Sequence, residues 1–151
     1  MITVRRTDSN DPEFIKLVEK LDAELAERDG TDHSFYHQFN SIDTIKHVVV
    51  AYDDNLAVSC GAIKYFDTDS MEVKRMYTLP EFRGKGIAAK VLEELEKWAG
   101  ELGHMKCILE TGKRNPEAIR LYEKNGYHKI PNYGQYEGVE DSVCFEKRVI
   151  G

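Results

Sequence analysis

The chain has 151 residues, 41% of them hydrophobic and 32% charged, which suits one domain whose core needs no disulfide or metal staple. A formal net charge of −6 argues against nonspecific binding to nucleic acid. It leaves an acidic surface that either keeps the chain in solution or favours a cationic substrate. No run of about 18 apolar residues is present to cross a membrane.

Residues 2–5 alternate apolar and charged side chains and predict a first strand. This N-terminal stretch has no apolar run suited to a signal peptide, so the expected compartment is the cytoplasm. Asp11 offers an N-cap with Pro12 at the first helical position, and Phe14, Leu17, Val18, Leu21 and Leu25 follow at helical spacing up to Gly30. Residues 31–46 are polar and aromatic, with Phe35, Tyr36, His37 and Phe39, and read as a loop plus a short helix. Residues 47–52 form a β-branched run. Asp53-Asp54-Asn55 supplies turn chemistry, residues 56–66 return as a strand, and residues 67–70 turn again before a strand over 71–78. These strands predict an antiparallel meander.

A glycine-bearing loop over 80–86 comes next, and Ile87, Val91, Leu92, Leu95, Trp98 and Leu102 then mark one apolar face of a long helix. Residues 105–110 predict a strand. Asn115-Pro116 caps and starts a short helix carrying Ala118, Ile119, Leu121 and Tyr122, which ends at Asn125-Gly126. Residues 127–130 and 142–149 give two last strands around a loop over 131–141. The order β-α-(α)-β-β-β-α-β-α-β-β predicts an α/β (α+β) fold: a mixed, mostly antiparallel twisted sheet with a central crossover helix. Cys60, Cys107 and Cys144 form no C-x-x-C pair and sit in apolar segments, as reduced core residues do. His33, His37, His47, His104 and His128 lack metal-ligand spacing, so no metal is expected.

The segment richest in chemistry is Glu72-Val73-Lys74-Arg75-Met76-Tyr77-Thr78-Leu79-Pro80-Glu81-Phe82-Arg83-Gly84-Lys85-Gly86-Ile87-Ala88-Ala89. A strand ends, a short loop turns, and a helix begins with small residues. The first N–H groups of a helix lack intrahelical partners and carry about half a positive charge, and glycines let a phosphate approach them. Three readings compete. One is a tight turn that needs glycine for backbone reasons alone. Another is a dinucleotide site, since Gly84-Lys85-Gly86-Ile87-Ala88-Ala89 loosely fits G-x-G-x-x-A and Glu110 falls at the end of the next strand, where a ribose-binding acid belongs. Residues 79–83, however, separate the glycines from their strand, and that strand is hairpin-linked. A phosphate-loop NTPase is excluded, because no Lys-Ser or Lys-Thr follows a G-x-x-x-x-G.

The third reading is a resemblance. Arg83-Gly84-Lys85-Gly86-Ile87-Ala88 resembles the R/Q-x-x-G-x-G/A signature of the GNAT N-acetyltransferase superfamily, and Asn115-Pro116-Glu117-Ala118-Ile119-Arg120-Leu121-Tyr122-Glu123-Lys124-Asn125-Gly126-Tyr127 resembles its later N-x-x-A-x-x-x-Y-x-x-x-G-F/Y motif. Two motifs in the family's order, within a likeness spanning residues 48–145, imply a single N-acetyltransferase domain over 1–151. The resemblance implies that acetyl-CoA is the co-substrate. Backbone amides of Gly84, Lys85, Gly86, Ile87, Ala88 and Ala89 would hold its pyrophosphate. Met76, Tyr77 and Thr78 would pair with the pantetheine arm and the acetyl carbonyl. Arg83 and Lys85 would add charge or remain solvated, and Asn115 would approach the coenzyme or only cap its helix.

Acetyl transfer to an amine needs a neutral attacking nitrogen, a stabilised oxyanion and a proton for the leaving thiolate. Tyr122 matches the family's general-acid tyrosine beside the coenzyme sulfur; alternatively, it packs the core. For the base, the resemblance implies Glu110, at the end of its strand, or Glu72, at the start of the strand before the loop. A water-mediated path with no dedicated base also stays open, and either glutamate alternatively serves as a polar strand-end residue. Substrate choice would reside in residues 26–40 and 131–141, the latter holding Tyr133 and Tyr136. A small-molecule primary amine comes first, ahead of a protein N-terminus or lysine. A non-catalytic acyl-CoA-binding module is the alternative from a different class, and a homodimer stays open.

Overall fold

The computed structural model describes residues 1–29 and 45–149. In chain order they are β1 (Ile2–Thr7), α1 (Pro12–Asp29), β2 (His47–Asp53), β3 (Leu56–Tyr65), β4 (Ser70–Thr78), α2 (Ile87–Glu101), β5 (Lys106–Gly112), α3 (Pro116–Lys124), β6 (His128–Ile130) and β7 (Ser142–Arg148). Single 3-10 turns lie at Pro80–Phe82 and Gly134–Tyr136. The seven strands follow the order β1-β2-β3-β4-β5-β7-β6. The fold is the mixed, mostly antiparallel sheet with a crossover helix that the sequence predicts. Gly30 and nearly all of the expected loop and short helix over 31–46 lie outside the described residues.

The chain divides into two compact units, Met1–Lys64 with Val73–Leu95, and Tyr65–Glu72 with Glu96–Gly151. In the first, β1 pairs antiparallel with β2 from Ile2↔Asp53 to Thr7↔Val48, and β2 pairs antiparallel with β3. The β2–β3 turn takes Asp54 into the left-handed region at φ 54°, a conformation that a short polar side chain tolerates. The β-branched run of β2 leaves Val48, Val49 and Val50 with no exposed surface. Asp11 caps α1 by accepting from Glu13 N–H at 2.9 Å. The apolar stripe of α1 buries Phe14, Leu17 and Val18, and that of α2 buries Val91, Leu92 and Leu95. Arg6 Nε donates to Glu94 at 2.7 Å, tying β1 to α2.

In the second unit β5 pairs parallel with β4 on one side and antiparallel with β7 on the other, and β6 pairs with β7. The β5–β7 ladder runs to Gly112↔Ser142, which carries β5 two residues past the predicted end at 110. Ser70, expected in a turn, begins β4 because it pairs with Lys106. Leu109, Val143, Phe145, Tyr122 and Tyr127 form the core. One carboxylate is built into it: Glu96 accepts from the Tyr127 hydroxyl at 2.9 Å and from Lys147 Nζ at 2.8 Å, so its charge is both paired and hydrogen-bonded. The three cysteines are buried free thiols. Burial pushes those of Cys60 and Cys107 up to about 12, which keeps them protonated and unreactive.

Gly61 on β3 sets how closely the first unit packs. A Cβ there would collide with Met76 Sδ and would lie 2.9 Å from Leu95 Cδ1 and 3.0 Å from Val91 Cγ1. Gly61→Ala is therefore expected to lower stability by about 1–3 kcal/mol through overpacking. Urea unfolding checks this: the midpoint should fall at an unchanged slope, and a midpoint equal to that of the parent would show that α2 can yield.

Candidate active site

The predicted coenzyme loop lies wholly in the first unit. The chain leaves β4, makes one 3-10 turn, and enters α2 through Gly84 and Gly86, both left-handed at φ 77° and 80°. Residues with a Cβ are strained in that region, so the path needs glycine twice. Nothing lies within 4 Å of a Cβ built at either position, and Gly84, Lys85 and Gly86 are exposed. The Lys90 N–H is bonded to Gly86 O at 3.3 Å. The amides of Ile87, Ala88 and Ala89 therefore precede the first intrahelical bond, at the positive end of the helix. An open loop with forward-facing amides is suited to an anionic group.

The cations of the loop differ in what they do. Arg83 Nε donates to Thr78 O at 2.8 Å, its Nη2 meets Glu24 of α1 at 2.8 Å, and its guanidinium lies 5.4 Å from the centre of the Tyr77 ring. Arg83 thus braces the end of β4 and ties α1 to the loop. Lys85 extends over the Phe82 ring at 5.3 Å. Along β4, Arg75 is left-handed at φ 61°, a strained state for a non-glycine residue that costs about 1 kcal/mol. Ser59 Oγ donates to Tyr77 O at 2.9 Å and lies 2.8 Å from Thr78 Oγ1. Ser59 thereby orients the Tyr77 carbonyl, as Arg83 orients that of Thr78.

Glu72, Glu110, Asn115 and Tyr122 belong to the second unit. The β4–β5 ladder pairs Ser70, Met71 and Glu72 with Lys106, Cys107 and Ile108. Glu72 therefore shares a face with Ile108 and, by the two-residue period of a strand, with Glu110. The two Cα atoms are then roughly 8 Å apart, from the strand spacing and the rise per residue. The β5–β7 register puts Cys144 opposite Glu110 on that face. Over it folds the β6–β7 loop. Tyr133 Oη donates to Glu72 Oε2 at 2.6 Å, and Ser142 Oγ donates to Glu110 Oε2 at 2.7 Å. The Tyr133 ring meets Phe66 and Tyr136 edge to face, with centroids 5.1 and 5.7 Å away.

These groups sense one another electrostatically. Burial first, then the charges of Glu110 and Glu72, push the Tyr136 phenol up. Burial pushes the Cys144 thiol up to about 11, with both carboxylates adding to the shift. Tyr122 is 6% exposed and packs against Tyr127 and Phe145. Burial, and next the Glu110 charge, push its phenol up as well. Asn115 caps α3, its Oδ1 accepting from Ala118 N–H at 3.2 Å.

The structure thus brings Glu72, Glu110 and Tyr122 into one unit, and Met76, Tyr77, Thr78 and residues 83–89 into the other. Sequence reasoning placed Tyr133 and Tyr136 in the substrate-choosing loop, lining an amine pocket or simply in a mobile segment, and gave neither a partner. Their link to Glu72 and Glu110 joins segments 61 residues apart in the case of Tyr133, and no local pattern signals it. Among the described residues, no group of three or more His, Cys, Asp or Glu side chains is placed to hold a metal ion, and no helix is long and apolar enough to cross a membrane.

The family model described as Acetyltransferase (GNAT) family matches residues 13–127. Over 149 residues the chain is 30% identical to the IAA acetyltransferase of Azospirillum brasilense, covering 97% of each. A crystal structure from Klebsiella pneumoniae, assigned to the acyl-CoA N-acyltransferases, is 30% identical and superposes with a TM-score of 0.84 over 99% of both chains. The PaiA N-acetyltransferase of Thermoplasma acidophilum, solved in complex with coenzyme A, shares the fold at 19% identity, with a TM-score of 0.69 over 98% of this chain and 99% of that one. A family match across most of the chain and a full-length relative at this identity place the protein in the GNAT family, and it is an N-acetyltransferase.

Proposed function

We propose that the enzyme uses acetyl-CoA as its co-substrate and transfers the acetyl group directly to the primary amine of a small molecule. We also read residues 1–151 as one N-acetyltransferase domain, since the family match crosses both compact units. The observation that carries the coenzyme assignment is the exposed loop with left-handed Gly84 and Gly86 at the start of α2. Its amides, from Gly84 to Ala89, would receive the pyrophosphate, with Lys85 supplying charge. The backbone of Met76, Tyr77 and Thr78 would align the pantetheine arm and the acetyl carbonyl. Arg83 would brace this loop through Thr78 and Glu24. Asn115 would orient the start of α3, where its carboxamide already caps the helix.

For the transfer itself we assign the base role to Glu72. The Glu110 charge acts on Tyr122 and disfavours its ionisation, which separates an acid side from a base side. Glu72 would accept a proton from the incoming ammonium, freeing the nitrogen lone pair. The N–C bond forms at the thioester carbon and the C–S bond breaks. The thiolate would leave against the Tyr122 hydroxyl and end as the thiol, taking the second proton that the amine nitrogen gives up as it becomes the amide. Two carboxylates on one face and an acidic chain favour a cationic amine. The 7% exposure of Glu72 favours a slender one over a folded protein surface.

The direct test is a panel of small amines, peptides with free N-termini and lysine peptides, with thiol release from acetyl-CoA as the readout. Turnover confined to the peptides would replace the small-molecule reading, and none with any amine would favour an acyl-CoA-binding module. Acetyl-CoA at about 100 times its dissociation constant should stabilise the fold by roughly 2.7 kcal/mol, whereas NADH should give no thermal shift. Stabilisation by NADH alone would return the loop to the dinucleotide reading.

Gly86→Glu places a carboxylate where the pyrophosphate would lie and adds left-handed strain of about 1 kcal/mol. The variant should fold, melt slightly lower, and lose its acetyl-CoA shift. An undiminished shift in the folded variant would remove this loop from the site.

Tyr122→Phe keeps the ring packed on Tyr127 and Phe145 and deletes only the hydroxyl. Coenzyme affinity should change by a few-fold at most, while single-turnover transfer should slow by about 10²-fold or more. A parental single-turnover rate would leave Tyr122 as a core residue only.

A further inference from the structure

We propose that Asn132 is a positioning residue that sets acceptor selectivity: its carboxamide closes the neck of the β6–β7 loop and holds that loop preformed over the face that carries Glu72 and Glu110. The proposal rests on the reading that this face takes the acceptor, and it adds a residue that acts only through the loop.

Residues 131–141 include two glycines in left-handed backbone, Gly134 at φ 54° and Gly138 at φ 77°, the composition of a pliable connection. Their hydrogen bonds make the segment a chain of successive turns. The Tyr136 N–H donates to Tyr133 O at 2.9 Å, the Val139 N–H to Tyr136 O at 3.0 Å, and the Ser142 N–H to Val139 O at 3.1 Å. Asn132 braces this series from one end to the other. Its Nδ2 donates to Val139 O at 3.0 Å and to Ser142 O at 3.2 Å, seven and ten residues further along. A carboxamide nitrogen carries two hydrogens, so it can serve both bonds. Both partners are carbonyl oxygens, which decides the end of the amide that faces them.

What the brace holds bears directly on the two-carboxylate face. Tyr133, next to Asn132, donates to Glu72 Oε2 at 2.6 Å and stands edge to face with Phe66 and Tyr136. Tyr136 is buried. Ser142, whose carbonyl Asn132 bonds, donates its own hydroxyl to Glu110. One carboxamide thus fixes both ends of the segment whose side chains reach the two carboxylates. A loop that the acceptor had to order would subtract that ordering from the binding of every acceptor. A pliable wall would also reshape itself around poor fits, whereas a preformed one rejects them.

The experiment compares steady-state kinetics of the full chain with the best and the poorest accepted members of the amine and peptide panel. The proteins are the parent, Asn132→Ala, Asn132→Asp and Tyr133→Ala, with acetyl-CoA binding and thermal melting alongside. Asn132→Asp keeps the side-chain shape but turns oxygens toward both carbonyls, so it separates hydrogen bonding from volume. Both position-132 variants should raise KM for the best acceptor about tenfold, the scale of two ordinary hydrogen bonds. They should also narrow the kcat/KM ratio between the two acceptors. Acetyl-CoA affinity should not change, because the glycine loop assigned to it lies in the first unit. An equal loss of acetyl-CoA affinity would mark a general loosening of the fold and overturn the proposal. If Tyr133→Ala raises KM while both position-132 variants keep parental kinetics, the loop meets the acceptor and the role of Asn132 alone is refuted. If Tyr133→Ala also keeps parental kinetics, the acceptor does not use this face, and the reading beneath the proposal fails with it. Hydrogen exchange in the parent needs neither variant nor acceptor, and it decides the matter if the variants melt too early to assay. The amides of Tyr136, Val139 and Ser142 should be protected before any acceptor is added, and exchange at open-chain rates would overturn the preformed loop.

Discussion

The parallel pairing of β4 with β5 is the constraint from which the rest follows. Parallel neighbours cannot be joined by a hairpin and need a crossover, which here is α2. The chain must therefore start a helix directly after the C-terminal end of β4. That start is where Gly84 and Gly86 turn the backbone and where the amides of residues 87–89 precede the first helical bond. The same ladder, Glu72 opposite Ile108, sets Glu72 and Glu110 on one face. One pairing choice thus accounts both for the glycine-bearing start of α2 and for a pair of carboxylates on one face.

Three of the carboxylates held in the second unit differ in the partners described for them. Glu96 accepts from Lys147 and from Tyr127, so a cation balances its charge and fixes it. The described partners of Glu72 and Glu110 include a phenol and an aliphatic hydroxyl respectively. The ionic link at Glu96 suits an element of architecture, joining α2 to β7. The hydroxyl links at Glu72 and Glu110 tie the β6–β7 loop and the start of β7 to β4 and β5.

Local devices were legible in the sequence because they are written in consecutive residues. Asp11-Pro12 and Asn115-Pro116 announce capped helices, and both caps form. The two glycines before Ile87 announce a backbone that side chains would block. Long-range devices were not. Arg83 reads as a phosphate partner, yet its guanidinium bonds Thr78 O and reaches back to Glu24, 59 residues away, a pairing that the spacing of neither residue suggests. Tyr133 sits among small and polar residues typical of a mobile loop, but a 3-10 turn and two aromatic contacts hold it over Glu72. Strand ends drifted by one or two residues for the same reason, because pairing with a distant strand, not propensity, decides where a ladder stops.

The position of Tyr122 shows why packing and chemistry are poor alternatives for one residue. Contact with Tyr127 and Phe145 removes water from its ring, and that same burial, reinforced by Glu110, pushes the phenol up. A phenol raised in this way will not surrender its proton to a neutral thioester. It can hydrogen-bond a sulfur that is acquiring negative charge, and such a bond strengthens as the C–S bond lengthens. The contribution would then fall mainly in the transition state and little in coenzyme binding, which is the condition for raising turnover without tightening the ground state. Packing that looks purely structural is thus what would make the hydroxyl selective for the departing thiolate.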